Sequence, residues 1–202
     1  MSSRGKRLPK KDDIENAAME LFARHGFAGT TIKDIALLAG VTEGALYRHY
    51  SSKEEMALSL FDRELGIIHD QLAESLSWKG TPGRKLKGVI NYLYTSYEAK
   101  PWPLLFVILN FQNLQGDSHL DDKKHIYDYI IQYVRDLFTE PQSDGAEGLK
   151  DEGRDYEFLA TLIAGLVIQP IIFHYYERLN RHPVEYIDEI TKSCCKLTGL
   201  KF

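Results

Sequence analysis

Residues 26–53 read GFAGTTIKDIALLAGVTEGALYRHYSSK, and the fold turns on them. Thr31-Ile-Lys-Asp34 has the spacing of a capping box, in which a hydroxyl takes the amide three residues on and the acid there returns to the first amide. A helix should follow, with Ile32, Ile35, Ala36 and Ala39 on its inner face. Ala39-Gly-Val-Thr42 then reads as a short turn, in which a glycine lets two helices cross steeply. A further helix is expected from about Glu43 to Tyr50, with Ala45, Leu46 and Tyr50 inward and Thr42, Glu43, Arg48 and His49 outward. Two short helices joined in this way present the second to a DNA major groove.

The same periodicity extends in both directions. Ile14, Ala17, Ala18, Leu21 and Phe22 mark one face of a helix that begins near Asp12-Asp13 and ends at His25-Gly26. Ser52-Lys-Glu-Glu55 has the spacing of a second capping box, opening a long fourth helix to about Ser77. Trp78–Gly83 breaks the chain, and a fifth helix runs to about Glu98, where Pro101-Trp-Pro103 is expected to stop it. Helices are expected at about 104–114, 120–138, 154–179 and 184–198, with a loop over 140–153. No strand pattern occurs. The chain reads as all-α with about nine helices: a helix-turn-helix domain over residues 1–53, and a larger helical ligand-binding and dimerisation domain over 54–202.

Composition agrees with a soluble globular chain, 44% hydrophobic and 27% charged. The net charge of −4 is unevenly spread. Residues 1–53 carry nine Lys/Arg against six Asp/Glu, leaving 16 basic and 23 acidic groups to the rest. A basic head attracts a polyanion and an acidic body repels one. The basic start has no signal-peptide core and no run of 18 consecutive apolar residues occurs, so a cytoplasmic protein without a membrane span is expected. The adjacent Cys194 and Cys195 suggest neither a disulfide nor a metal site. There is no nucleophile elbow, no phosphate-binding glycine loop and no Glu-x-x-His pair, so neither an enzyme nor a cofactor is expected.

By residue type, Arg48 suits guanine and Glu43 suits cytosine, while Gly44 and Ala45 let the helix approach base edges. Thr42, Tyr47, His49 and Lys53 suit phosphate. The whole stretch from Gly26 to Lys53 resembles the signature of TetR/AcrR-type regulators, with Ile-Ala in the second helix, Ala-Gly-Val in the turn, Leu46-Tyr47 on the recognition helix and Ser-x-Lys-Glu beyond. That resemblance implies a homodimer on a palindromic double-stranded operator, usually a repressor released by a small effector. It aligns Thr31, Tyr47, His49 and Lys53 with phosphate contacts, and Lys33, Glu43 and Arg48 with base-facing positions. Two departures stand out. Ala45 replaces a frequent hydroxyl, and Tyr50 stands where the family often has Phe.

The body offers weaker signals. Its many aromatics suit either core or the walls of a pocket for an apolar or aromatic effector, with Tyr97, Trp102, Phe106, Asn110, His125, Tyr129, Gln169 and His174 as candidates. The apolar segment Leu159–Phe173 contains Gly165 and Pro170 and is too apolar to face water. It is read as one side of a two-fold interface through Gly165, Ile168, Ile171 and Ile190. The rival reading, an architectural DNA-binding protein without operator choice, suits a chain that is basic throughout.

Overall fold

A computed structural model describes residues 11–114, 126–139 and 155–200. All regular structure among them is helical: α1 (Lys11–His25), α2 (Ile32–Ala39), α3 (Glu43–Leu46), α4 (Lys53–Leu76), α5 (Pro82–Ala99), α6 (Pro101–Leu114), α7 (Ile126–Thr139), α8 (Tyr156–Tyr175) and α9 (Ile187–Thr198), with a 3-10 turn over Pro183–Tyr186. The expected loop over 140–153 and the start of the seventh helix lie outside the described residues.

Several boundaries moved for identifiable reasons. Pro101-Trp-Pro103 does not merely stop α5 but forms the first turn of α6, where a missing amide costs nothing. Only Lys100 separates the two helices, in an extended conformation. The box at Ser52 is offset: Ser52 Oγ takes the Glu55 amide at 3.1 Å, while the Glu55 carboxylate accepts from the Ser51 amide and hydroxyl. The third helix is shorter than its pattern suggested. It ends at Leu46, although the His49 and Tyr50 amides still donate to the Leu46 carbonyl.

The chain divides into two compact units, Met1–Glu64 with Trp102–Asp122, and Leu65–Pro101 with Lys123–Phe202. In the first, Phe22 stacks on Phe106 with ring centres 5.5 Å apart, and Phe61 meets the same ring edge-on at 6.1 Å. Both Phe22 and Phe106 are fully buried, so this aromatic group is the unit's core. In the second, α5, α7, α8 and α9 pack together, and buried Tyr94 donates from α5 to the Val167 carbonyl of α8 at 2.9 Å. That bond falls next to Leu166, whose carbonyl lost its helical partner to Pro170.

Candidate nucleic-acid interface

The head is built by its caps. Thr31 Oγ1 accepts from the Asp34 amide at 3.2 Å and the Asp34 carboxylate accepts from the Thr31 amide, so the box at the start of α2 closes in both directions. The Thr31 hydroxyl also donates to the Asp34 carboxylate, and this bond, followed by the one from the Thr31 amide, holds the Asp34 carboxyl below its ordinary range. At the far end Gly40 takes φ 68°, a left-handed cap whose amide returns to Ala36 and Leu37. Ile35 and Ala36 anchor the inner face. The chain then reverses through Val41 and Thr42 into α3.

What α3 leaves outside is a continuous polar row. Leu46 and Tyr50 are buried, while Thr42, Glu43, Gly44, Tyr47, Arg48 and His49 are all exposed and Ala45 is half-exposed. A Cβ placed on Gly44 would meet only the Thr42 hydroxyl, at 3.9 Å. The glycine is therefore not required by packing within the chain and leaves a low spot on the outer surface. Thr31 and Lys33 at the start of α2 are exposed as well. Ten residues expected to meet DNA are thus gathered on one unit, eight of them exposed and two, Ala45 and Lys53, half-buried.

Lys53 is the tenth, and it is placed differently. Its ammonium donates to the carbonyls of Phe27 and Thr30, both at 2.9 Å, and lies 4.1 Å from the centre of the Phe27 ring. It ties the start of α4 to the loop after α1, a structural task that its place in the motif did not disclose.

The sequence reading also missed Glu15. Glu15 stands outside the apolar stripe on α1, yet it is buried. It accepts from the Tyr50 hydroxyl at 2.5 Å and from Arg63 of α4, with Lys11 3.4 Å away. Burial alone raises its pKa, but the Tyr50 and Arg63 hydrogen bonds and the charges of Arg63 and Lys11 outweigh it and hold the carboxyl below its ordinary value. The same burial, with Glu15 as acceptor, drives the Tyr50 hydroxyl far up, so it stays a donor.

A family model described as bacterial regulatory proteins, tetR family, matches residues 14–60. Over those residues the chain carries the sequence pattern of that family. The fatty acid metabolism regulator protein of Bacillus subtilis (strain 168) is 34% identical over 83 residues, 41% of this chain and 43% of that protein. The chain thus matches less than half the length of this curated relative. Among solved structures, the MbdR regulator from Azoarcus sp. CIB superposes with a TM-score of 0.76 at 24% identity, over 95% of this chain and 98% of the other. FadR from Bacillus subtilis in complex with stearoyl-CoA gives 0.70 at 21%, over 92% and 97%. At these identities the two structures establish the TetR-like fold.

Within the second unit, the described candidates Tyr97, Tyr129, Gln169 and His174 fall in three separate places. Half-buried Trp102 lies under the Arg24 guanidinium, 4.6 Å away, and Phe106 is core; both belong to the first unit. Asn110 is on α6, its side chain outside the described residues, as is His125 altogether. Tyr129 lines a shallow cleft of about 100 Å³ beside His69. Tyr97 and His174 do meet, hydroxyl to Nδ1 at 2.9 Å, with His182 stacked on the tyrosine. Desolvation, then the neighbouring His182, lowers the His174 pKa.

Gln169 faces elsewhere, into an apolar groove of about 760 Å³ along α8 and α9. Gly165 and Ile190 line that groove too, with Leu162, Leu166 and Phe173. Ile168 and Ile171 do not. Both are fully buried within the chain, on the side of α8 that carries Ala160, Ala164 and Val167, so they are core residues and not an outward surface. The helix from Glu157 to Tyr175 is also long and apolar enough to cross a membrane, a test the count of consecutive apolar residues did not apply.

Proposed function

We propose that this chain is a dimeric transcription regulator that binds a palindromic double-stranded operator in the cytoplasm and represses until a small effector releases it. The observation that carries the reading is the outward row on α3, polar and unobstructed, following a left-handed glycine turn. Arg48 and Glu43 present a donor fork and an acceptor of the kinds that read guanine and cytosine. Thr31, Thr42, Tyr47, His49 and Lys53 serve as phosphate contacts, Lys53 through the one N–H its two carbonyl bonds leave over, and Lys33 faces the groove beside them. Two heads require a two-fold contact, and the α8–α9 groove lined by Leu162, Gly165, Leu166, Phe173 and Ile190 supplies one. A largely apolar effector is favoured by the aromatic body, and a TetR-like neighbour, FadR, was solved with stearoyl-CoA.

The experiment is selection of duplexes from a random library with the intact protein. Enrichment of an inverted repeat with half-sites about one helical turn apart is expected. Equal retention of all sequences would replace this reading with the architectural one.

A further inference from the structure

Glu15, Tyr50 and Arg63 form a polar link among three elements of the head, with Glu15 and Tyr50 buried and Arg63 partly exposed, and nothing in the recognition row itself requires it. Tyr50 closes the turn that carries Tyr47, Arg48 and His49, and its amide is bonded to Leu46. Tyr50 is 6% exposed, and its hydroxyl donates to one acceptor, Glu15 Oε1. Glu15 in turn uses Oε2 on Arg63 of α4, and Arg63 is further held by the neighbouring Glu64 at 2.8 Å. Lys11 completes the group, 3.4 Å from Glu15 Oε1 and 5.5 Å from the centre of the Tyr50 ring. A buried hydrogen-bonded network has few alternative arrangements, because a displaced member leaves a polar group unsatisfied. An apolar contact would tolerate a rotation or slide that this one does not.

We propose that Glu15 is a positioning residue for DNA reading: through the Tyr50 hydroxyl it fixes the turn that follows α3 relative to α1 and α4, and so sets where Arg48 and His49 point. The proposal rests on the DNA-binding reading above. It gives the tyrosine at position 50, where the family often has Phe, a task that a phenyl ring cannot perform. Glu15 touches no DNA in this account and acts only through Tyr50. Its loss should therefore spoil discrimination and leave charge-driven binding to any sequence intact.

The test uses the full chain and the best duplex recovered by selection with the unaltered protein, compared with a random duplex of equal length. Affinities are measured well below the melting temperature of every variant. Tyr50→Phe is expected to lower the ratio of selected to random affinity about tenfold, with random binding unchanged within twofold. Glu15→Gln keeps an acceptor oxygen for the hydroxyl and should retain most of the ratio, whereas Glu15→Ala should lose it as Tyr50→Phe does. Should Glu15→Ala not fold, the Tyr50→Phe and Glu15→Gln pair still decides the matter. A Tyr50→Phe ratio within twofold of the parent overturns the proposal. Parallel loss on both duplexes also overturns it, since that marks a general loss of structure. If the unaltered protein selects no duplex, it is the DNA-binding reading that has failed.

Discussion

The two units of this molecule hold their functional surfaces by different means. In the first, the row from Thr42 to His49 is set by elements a few residues apart: a box at Thr31 and Asp34, a left-handed Gly40, a four-residue α3. In the second, the outward groove exists because α8 sends Ile168 and Ile171 into the core and leaves Leu162, Leu166 and Phe173 outside. The first kind of surface follows from local chemistry. The second depends on which side of a uniformly apolar helix the rest of the chain covers.

The sharpest way to break this comparison is to charge the two sides of α8. Leu166→Asp places a carboxylate in the groove, where the monomer can still hydrate it. It should yield folded monomers by sedimentation and lower operator affinity by about two orders of magnitude, since each head loses its tethered partner. Ile168→Asp places the same group in the core without a partner and should cost about 3–5 kcal/mol, read as loss of the folded state. A folded monomer from Ile168→Asp would reverse the assignment of the two sides.

How much of this was open to reading from the sequence follows the same division. The boundaries of α1 and α2, the closed box at Thr31 and the turn at Gly40 were legible because each depends on residues within four positions. The sides of α8 were not, because a helix without a polar stripe has no period to read. Pro101 was misread as a terminator alone, although the same ring that ends one helix is at home in the first turn of the next. Glu15 was missed because a carboxylate beside an apolar stripe is ordinarily solvated, and its partners Tyr50 and Arg63 stand 35 and 48 residues away.

The next effect in size belongs to the recognition row. Arg48→Ala should cost about 1–3 kcal/mol on the selected duplex and relax choice at one base pair in each half-site, with random duplex almost unaffected. An unchanged consensus after selection with this variant would show that Arg48 faces phosphate or solvent, and that the row reads sequence through Lys33 and Glu43 instead.

Lys53 tests whether a residue can be both structural and DNA-facing. Lys53→Met keeps the stem and removes the ammonium, along with its bonds to Phe27 and Thr30. Losing those bonds should lower stability by about 1–2 kcal/mol. The slope of log affinity against log salt should also fall by about 0.9, the value for one phosphate. A lower melting temperature with an unchanged slope would confine Lys53 to holding α4 against the loop after α1.

The smallest effect expected is on acid stability, and it probes the buried link directly. Glu15 has a folded pKa below its ordinary value of 4.5, because the bonds and charges of Tyr50, Arg63 and Lys11 outweigh its burial. A carboxylate depressed in this way stabilises the folded state fully above the unfolded value, near pH 4.5. That contribution fades as pH falls through the lower, folded value, where the native state too becomes protonated. Melting temperature followed from pH 7 to pH 3 should therefore drop more steeply for the unaltered protein than for Glu15→Gln. Asp34, Glu55, Glu185 and Asp188 are also held low by their hydrogen bonds, so both proteins lose stability in acid. Only the difference between the two curves reports Glu15. It should begin to narrow below about pH 5, by a modest amount, since the Arg63 side chain is 42% exposed and water screens the pair. Parallel curves throughout would mean that Glu15 is held no differently in the folded and unfolded chains. The link to Tyr50 would then be a packing contact that happens to carry a charge.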